Sequence, residues 1–386
     1  MTVAIIDGIA AHYRLSLFQK LSIQQEIEYH LFASKETFLG IKTIDPYLAS
    51  AEISDGGIRW TFIDNIVIFN RIIWQNNVLN ITSKGNFDVY LFIGESNVIS
   101  TWIGVIICKL RRKKIAFWGH GTYGNEKFVK KLIRQMFNKL PDSYLLYNER
   151  AKYLLKEEGI KEESLFVVYN SLNYDVHVNI RNYLEKNEIS SLKRRLFPLN
   201  FDLPVLVFIG RLTPEKKIEQ LVESVELLHR KGKKVNCIII GSGDMEDILR
   251  KLVSSLDLEE YFSFYGACYE EKENALLLSM ADCCISPGNV GLTAIHSLSF
   301  GTPVITHNDL PNQMPEVSSI IEGLTGELFD RNCVNDLAEK IEKLVFIKGK
   351  NHYSDHCIKL IDNYYNPYYQ VKVFNMMVDY LTVKVS

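Results

Sequence analysis

Little in this sequence points to a covalent scaffold, a bilayer span or a nucleic-acid partner. Its seven cysteines include no C-x-x-C pair, and Cys283 and Cys284 stand side by side in an apolar run. That usage argues against a disulfide framework and a thiolate metal site, and it fits buried thiols in a reducing compartment. Lys and Arg number 44 against 46 Asp and Glu, a formal net charge of −2, so the global basic field of a nucleic-acid binder is missing. No apolar run approaches the roughly 20 residues needed to span a bilayer. The longest, "NVISTWIGVIIC", is broken by Ser100 and Thr101. The opening "MTVAIIDG" lacks the basic-then-apolar layout of a secretory leader, so a cytoplasmic location is expected. No D-x-D pair occurs, which leaves a metal-bridged diphosphate without sequence support, and neither metal nor cofactor is expected.

What is present is ordinary in amount and regular in order. The 386 residues, 47% hydrophobic and 23% charged, suit a soluble enzyme of two or three domains. "VAIID" (3–7), "DVYLFIG" (88–94), "KIAFWG" (114–119), "SYLLYN" (143–148) and "LFVVYN" (165–170) read as buried parallel strands. Between them lie segments with apolar residues at three- and four-residue spacing, as in core-packed helices. The pattern breaks over 171–202, a polar, charged stretch read as a hinge plus one solvated helix. A second alternating set follows: "VLVFIG" (205–210), "KVNCIIIG" (234–241), "YFSFYG" (261–266), "DCCIS" (282–286) and "PVITH" (303–307). Helices at about 215–231, 244–256, 270–280, 291–300 and 334–345 separate these strands. The expected fold is α/β: two Rossmann-like doubly wound domains facing a cleft. The first covers 1–172, with a C-terminal helix at 365–386 packing back on it; hinge and second domain cover 173–364. Ligands of open α/β sheets sit at the carboxyl ends of the strands.

Three strand-end loops of the second half carry the chemistry. "GRLTPEK" (210–216) places Gly210 at a strand end, Arg211 after it and Lys216 near the next helix start. Arg can grip two phosphate oxygens, and Lys adds a second positive charge. "GSGD" (241–244) is another glycine turn that opens a helix. "SPGNVGLTAIH" (286–296) is a tight turn ahead of a helix with neither carboxylate nor lysine. Free backbone N–H groups at such a helix start favour an anion. Together the loops suit a diphosphate that bears an uncharged group. One loop alone would signify only a strand-to-helix turn.

Residues 203–345 resemble the donor domain of family 4 retaining glycosyltransferases of the bacterial surface-polysaccharide type, which have the GT-B fold. The resemblance rests on "FIGRLTPEK", "IIGSGD", "FYG", "ADCCISPGNVGLTAIHSLSFGTPVI", "MPEV" and "GLTGELF", in that order and spacing. "IDGIAAHYRLSLFQKL", "FWGHGTYGNE" and "VVYNSLNYD" extend it more weakly over the first half. It implies a retaining hexosyltransferase that uses a nucleotide-diphosphate sugar, UDP-sugar favoured, and a saccharide or lipid-linked saccharide acceptor. By the same resemblance Arg211 and Lys216 bind the diphosphate, and Gly241 and Gly243 shape a loop near the nucleotide. The backbone of Asn289, Val290, Gly291 and Leu292 meets phosphate and sugar. His120 contacts the donor sugar near the reacting carbon, and Gly8 lets the first loop approach the phosphate.

The sequence departs from that pattern at the helix start. The family carries two glutamates eight positions apart, one on the sugar hydroxyls and one on the ribose. Gly288 and His296 stand in those places. A neutral imidazole can still donate to or accept from a ribose hydroxyl. Asn289 and Thr293 are candidates to replace the lost sugar contact. For His296 the alternative is a half-buried helix histidine; for His120 it is a turn histidine bonded to backbone. Tyr13 and Arg14 are placed on the acceptor side, with ordinary helix-surface residues as the equal alternative. Glu95, at a strand end, is read first as a helix cap.

Two basic segments, "KLRRKK" (109–114) and the helix pattern 127–140, suggest a contact with anionic lipid at the inner face of the plasma membrane. The equal alternative is a core-packed helix with a solvated basic face. Two rival functions stand beside transfer: a nucleotide-sugar epimerase of the same fold, and a non-catalytic nucleotide-sugar-binding subunit. The absent glutamates count mildly against the first and in favour of the second.

Overall fold

The computed structural model describes residues 1–382 except Phe38, Leu39, Asn70 and Asn125. Asn125 of "FWGHGTYGNE" and the last four residues of the expected 365–386 helix therefore lie outside the described residues. The chain divides into two compact units, residues 1–173 with 365–386, and residues 174–364.

The first unit contains β1 (Thr2–Ile9), β2 (Glu28–Ser34), β3 (Trp60–Phe62), β4 (Asn65–Ile68), β5 (Ile72–Gln75), β6 (Val89–Ile93), β7 (Lys114–Gly119), β8 (Ser143–Leu146) and β9 (Leu165–Val167). Seven of these form one parallel sheet in the order β3-β2-β1-β6-β7-β8-β9. β4 and β5 pair apart from it as an antiparallel hairpin. The direction of winding reverses between β1 and β6, the position at which open α/β sheets place their ligands. β2, β3 and the hairpin were not foreseen. β2 carries Glu28 and His30 among its apolar residues, and β3 spans only three residues, so neither makes a clean apolar run.

The helix Pro367–Thr382 belongs to this unit. Val373, Phe374, Met377, Val378 and Leu381 form one apolar stripe, buried with Leu17, Phe18 and Trp118. The Phe374 ring meets Trp118 edge-on at 5.2 Å.

The second unit contains β10 (Val205–Ile209), β11 (Asn236–Ile240), β12 (Phe262–Gly266), β13 (Cys283–Ser286), β14 (Val304–His307) and β15 (Gly326–Phe329). They form a parallel sheet in the order β12-β11-β10-β13-β14-β15, which reverses between β10 and β13. β11 and β13 are buried at every position, as strands covered by helices on both faces must be. The 171–202 stretch differs from the single solvated helix expected. It forms two helices, Tyr174–Tyr183 and Lys186–Leu196, separated by extended backbone at Glu185. Both pack on the helix Glu271–Met280 and bury His177 and Leu192, so the stretch is only partly solvated.

Candidate nucleotide site

The reversal between β10 and β13 brings two of the three loops together. Gly210 and Arg211 follow β10, and Pro287–Leu292 follow β13. Glycine is required here by packing. A Cβ on Gly241, whose φ is +143°, would lie 1.8 Å from the Gly210 carbonyl oxygen. On Gly243 it would lie 2.4 Å from the Leu212 carbonyl oxygen. The loops after β10 and β11 thus touch backbone to backbone. A cavity of about 200 Å³ opens over β10, β11 and β12, lined by Gly210, Arg211, Gly241, Ser242, Cys268 and Tyr269 among others. A second space of about 410 Å³ lies over β13 and β14, beside Gly288, Asn289, His307, Asn312 and Arg331.

Lys216 is half-buried, and its Nζ donates to the Asn289 carbonyl oxygen at 2.8 Å and to Asn289 Oδ1 at 2.9 Å. Burial, then the neighbouring Arg211 charge, lowers its pKa below the usual lysine value. Arg211 is exposed, and its guanidinium makes no hydrogen bond or ion pair among the described residues, although the Glu215 charge lies near it. Two cations held close, one of them unpaired, favour an anion between them.

The turn before the helix Thr293–Ser299 is more constrained than its sequence suggests. The Gly288 N–H already donates to Lys216 O at 2.9 Å. A Cβ on Gly288 would meet Glu215 O at 2.1 Å. The missing glutamate is therefore built into the backbone, since the chain runs too close for any side chain. The Val290 N–H donates to Gln313 Oε1 at 2.8 Å, so it is already used. The N–H groups of Gly291 and Leu292 have no acceptor among the described residues. Nor do the proposed replacements for the sugar contact stand free. Thr293 Oγ1 donates to Ile209 O at 3.1 Å, and Asn289 Oδ1 accepts from Lys216.

His296 lies at a junction the sequence did not reveal. Its Nε2 is 3.2 Å from Glu271 Oε2, and His177 Nε2 is 3.2 Å from the same oxygen. The two rings stack at 5.0 Å between centroids, 12° from parallel. The His177 imidazole first, then that of His296, holds the Glu271 carboxyl far below the usual carboxylate range. Burial lowers His177. Among the described residues these three form the group whose donor atoms converge, within 4.8 Å of one another. The nearly parallel rings set both Nε2 atoms within reach of one Glu271 oxygen, although only His177 meets it in hydrogen-bond geometry. Glu271 follows β12 after "ACYE" and reaches His296 from a different strand, a juxtaposition no local motif signals.

In the first unit, Gly8 lies within β1, and a Cβ there would meet nothing within 4 Å. His120 follows β7. Burial, then the charges of Arg134 and Arg14, lower its pKa to about 4. Its ring stacks on Tyr123 at 5.2 Å and meets Tyr147 edge-on at 4.9 Å. Neither ring nitrogen is hydrogen-bonded among the described residues, so the backbone-bonded turn histidine is not what is seen. Arg14 is not the surface residue of the alternative reading. It is buried, donates to Asp7 Oδ2 at 2.7 Å and Tyr147 Oη at 2.6 Å, and lies 4.1 Å over the Trp118 ring. Burial raises the Asp7 carboxyl against the pull of Arg14. Tyr13 sits beside it in the short turn His12–Arg14. Glu95 does not cap the helix Ile99–Leu110, which begins at Val98 with no side-chain cap. Burial raises the Glu95 carboxyl instead, opposed by Arg134 and Lys130.

Residues 189–357 match the family described as glycosyl transferases group 1. An uncharacterised glycosyltransferase of Methanocaldococcus jannaschii is 30% identical over 177 residues, 42% of this chain and 43% of that protein. A capsular polysaccharide biosynthesis glycosyltransferase of Staphylococcus aureus is 26% identical over 175 residues, covering 42% and 41%. The chain thus spans about two fifths of the length of the curated relatives it matches. Among solved structures, Anabaena HepE in complex with UDP superposes with a TM-score of 0.71 at 14% identity, over 99% of this chain and 100% of that one. The chain has the GT-B fold of glycosyltransferases, and the segment that carries the candidate site matches their group 1 family.

Proposed function

We propose that the protein is a retaining glycosyltransferase that moves a hexose from a nucleotide-diphosphate sugar, UDP-sugar favoured, to a saccharide or lipid-linked saccharide acceptor in surface-polysaccharide synthesis. The observation that carries the reading is the cation pair Arg211 and Lys216 beside the open N–H groups of Gly291 and Leu292, at the strand-order reversal next to the 200 Å³ cavity. In this reading the cavity takes the base, and the cations and N–H groups take the diphosphate. The likeness to a UDP complex and to a capsular polysaccharide enzyme supports both the donor class and the product class.

The chemistry is electrostatic. The bond from the sugar's anomeric carbon to the diphosphate breaks, and the acceptor hydroxyl oxygen bonds to that carbon on the same face. The hydroxyl proton passes to an oxygen of the leaving diphosphate. Arg211, Lys216 and the helix-start N–H groups stabilise the charge that develops there, which is where preorganised donors have most effect. His120, neutral and with neither nitrogen hydrogen-bonded among the described residues, takes the role at the donor sugar that the resemblance assigns to it.

A thermal-shift panel of UDP, GDP and ADP with their sugars, followed by product analysis, tests the reading. Stabilisation by UDP above the others and an extended glycan are expected. A free epimerised sugar would mean an epimerase, and binding with no turnover a nucleotide-sugar-binding subunit.

A further inference from the structure

The first unit turns an apolar face outward. In the helix Phe128–Asn138 the usual orientation is inverted. The side toward the core carries Arg134, Phe137 and Asn138. Arg134 is paired with Glu126 at 2.8 Å, and Asn138 donates to Thr122 at 3.0 Å. The outward side carries Phe128, Val129, Leu132, Ile133 and Met136, with Phe128 81% exposed. The core-packed alternative read from the sequence therefore fails for most of this apolar face; only Phe137 is buried within the helix and Leu140 half-buried beyond it.

Two neighbouring elements extend the face. Trp102, in the helix Ile99–Leu110, packs on Phe137 at 4.9 Å, so the two helices adjoin. That helix exposes Ile99, Ile103, Ile106 and Leu110, one stripe at four-, three- and four-residue spacing, with Leu110 80% exposed. Its start is bridged to β5 through Ile73 and Val98. In the hairpin, Ile66, Val67 and Ile68 are consecutive and all exposed, and Phe69 is 89% exposed. Successive strand residues point to opposite faces, so both faces of this ribbon are apolar and open. A two-stranded ribbon of that kind is marginal in water. Single exposed apolar residues need no explanation, but so many on three elements that adjoin one another do.

Charge identifies the occupant. Residues 65–141 contain twelve Lys or Arg and three Asp or Glu, in a chain whose net charge is −2. Each of the three acids is internally engaged. Asp88 accepts from Thr2, Glu95 is largely withdrawn from solvent, and Glu126 is paired with Arg134. Arg71, Lys109, Arg112, Lys127, Lys130 and Lys131 are exposed around the apolar residues. No helix among the described residues is long and apolar enough to cross a membrane. An apolar face rimmed by cations, with no span, matches the acyl–headgroup boundary of an anionic leaflet.

We propose that this face docks on an anionic lipid bilayer, with the hairpin and the helix Phe128–Asn138 seated at the acyl boundary. The inference does not rest on the reading of the nucleotide site, and its test needs no turnover. Co-sedimentation is measured with vesicles of phosphatidylcholine plus phosphatidylglycerol, and with phosphatidylcholine alone. Wild type should partition to the anionic vesicles and be released by salt that screens surface charge. Phe128→Ser with Leu132→Ser, and separately Lys130→Glu with Lys131→Glu, should each lower partitioning about tenfold or more. Ile66→Ser with Ile68→Ser should do the same, whereas Ile248→Ser, at an exposed apolar site in the second unit, should change nothing. All these side chains are exposed, so circular dichroism and melting should stay as in wild type. Absence of binding, equal binding to both vesicle types, or indifference to the substitutions would overturn the proposal. So would a concentration-dependent dimer in ultracentrifugation that the same substitutions dissolve, because the face would then cover a second copy of the chain.

Discussion

Lys216 holds Asn289 by two oxygens at once, the backbone carbonyl at 2.8 Å and the side-chain Oδ1 at 2.9 Å. The residue assigned to the diphosphate is thus also the clasp that shapes the turn after β13. Lys216→Ala should cost donor affinity twice, through the lost charge and through a loosened turn. Arg211→Ala, which removes an exposed group that makes no hydrogen bond or ion pair among the described residues, should cost only the first, about 2 kcal/mol of UDP binding. Isothermal titration of both variants decides; if Arg211→Ala binds UDP as wild type does, the diphosphate is not there.

Gly288 gives a second test. A Cβ there meets Glu215 O at 2.1 Å and Lys216 Cα at 2.8 Å. Gly288→Ala should displace the Lys216 turn and weaken UDP and UDP-sugar alike, by about tenfold or more. Gly288→Glu, which restores the family's sugar contact on paper, should fare no better. Binding of free UDP at wild-type strength by either variant would show that the turn yields without cost.

For His296, the expected loss on His296→Ala is about 1 kcal/mol for UDP and UDP-sugar equally, the worth of one hydrogen bond to the ribose. Glu271→Gln should weaken UDP binding as well, if the carboxylate orients the ring for that contact. If both variants melt lower and bind UDP unchanged, the clasp with His177 is structural only.

The His120 imidazole should titrate near about 4 in NMR, not near its ordinary 6.5. Its folded value is depressed, so below 6.5 the unfolded chain binds a proton that the native one refuses. Its contribution to stability is therefore complete above that pH, falls as pH drops from 6.5 toward 4, and levels off below. Replacement by Asn should flatten this part of the stability profile. A midpoint near 6.5 would place the ring in solvent.

Turnover should persist in EDTA, because the sequence holds no D-x-D pair to carry a cation to the diphosphate. Activity lost to the chelator and restored by Mg²⁺ or Mn²⁺ would refute this.

The strand-end loops were legible because backbone contacts at Gly241, Gly243 and Gly288 leave only one residue type possible, and that type can be read directly. Other features depend on distant partners. The Val290 N–H is taken by Gln313, 23 residues on, and Glu271 reaches His296 from beyond another strand. Periodicity over 128–138 told which residues share a side, not which side faces inward. That was decided by the burial of Arg134 and Asn138 with Glu126 and Thr122.

The helix Pro367–Thr382 completes the first unit's core only after the whole second unit has been threaded through the chain. Once residue 364 has been added, every strand of the second sheet is present in the chain. The first unit, begun earlier, still lacks Phe374 and Met377 against Trp118 and its neighbours. Vectorial synthesis should therefore finish the second unit first and leave the first as an open, protease-sensitive intermediate until its last helix arrives. A chain truncated after residue 364 would expose that dependence, with residues 174–364 resistant to limited digestion and residues 1–173 still cleaved.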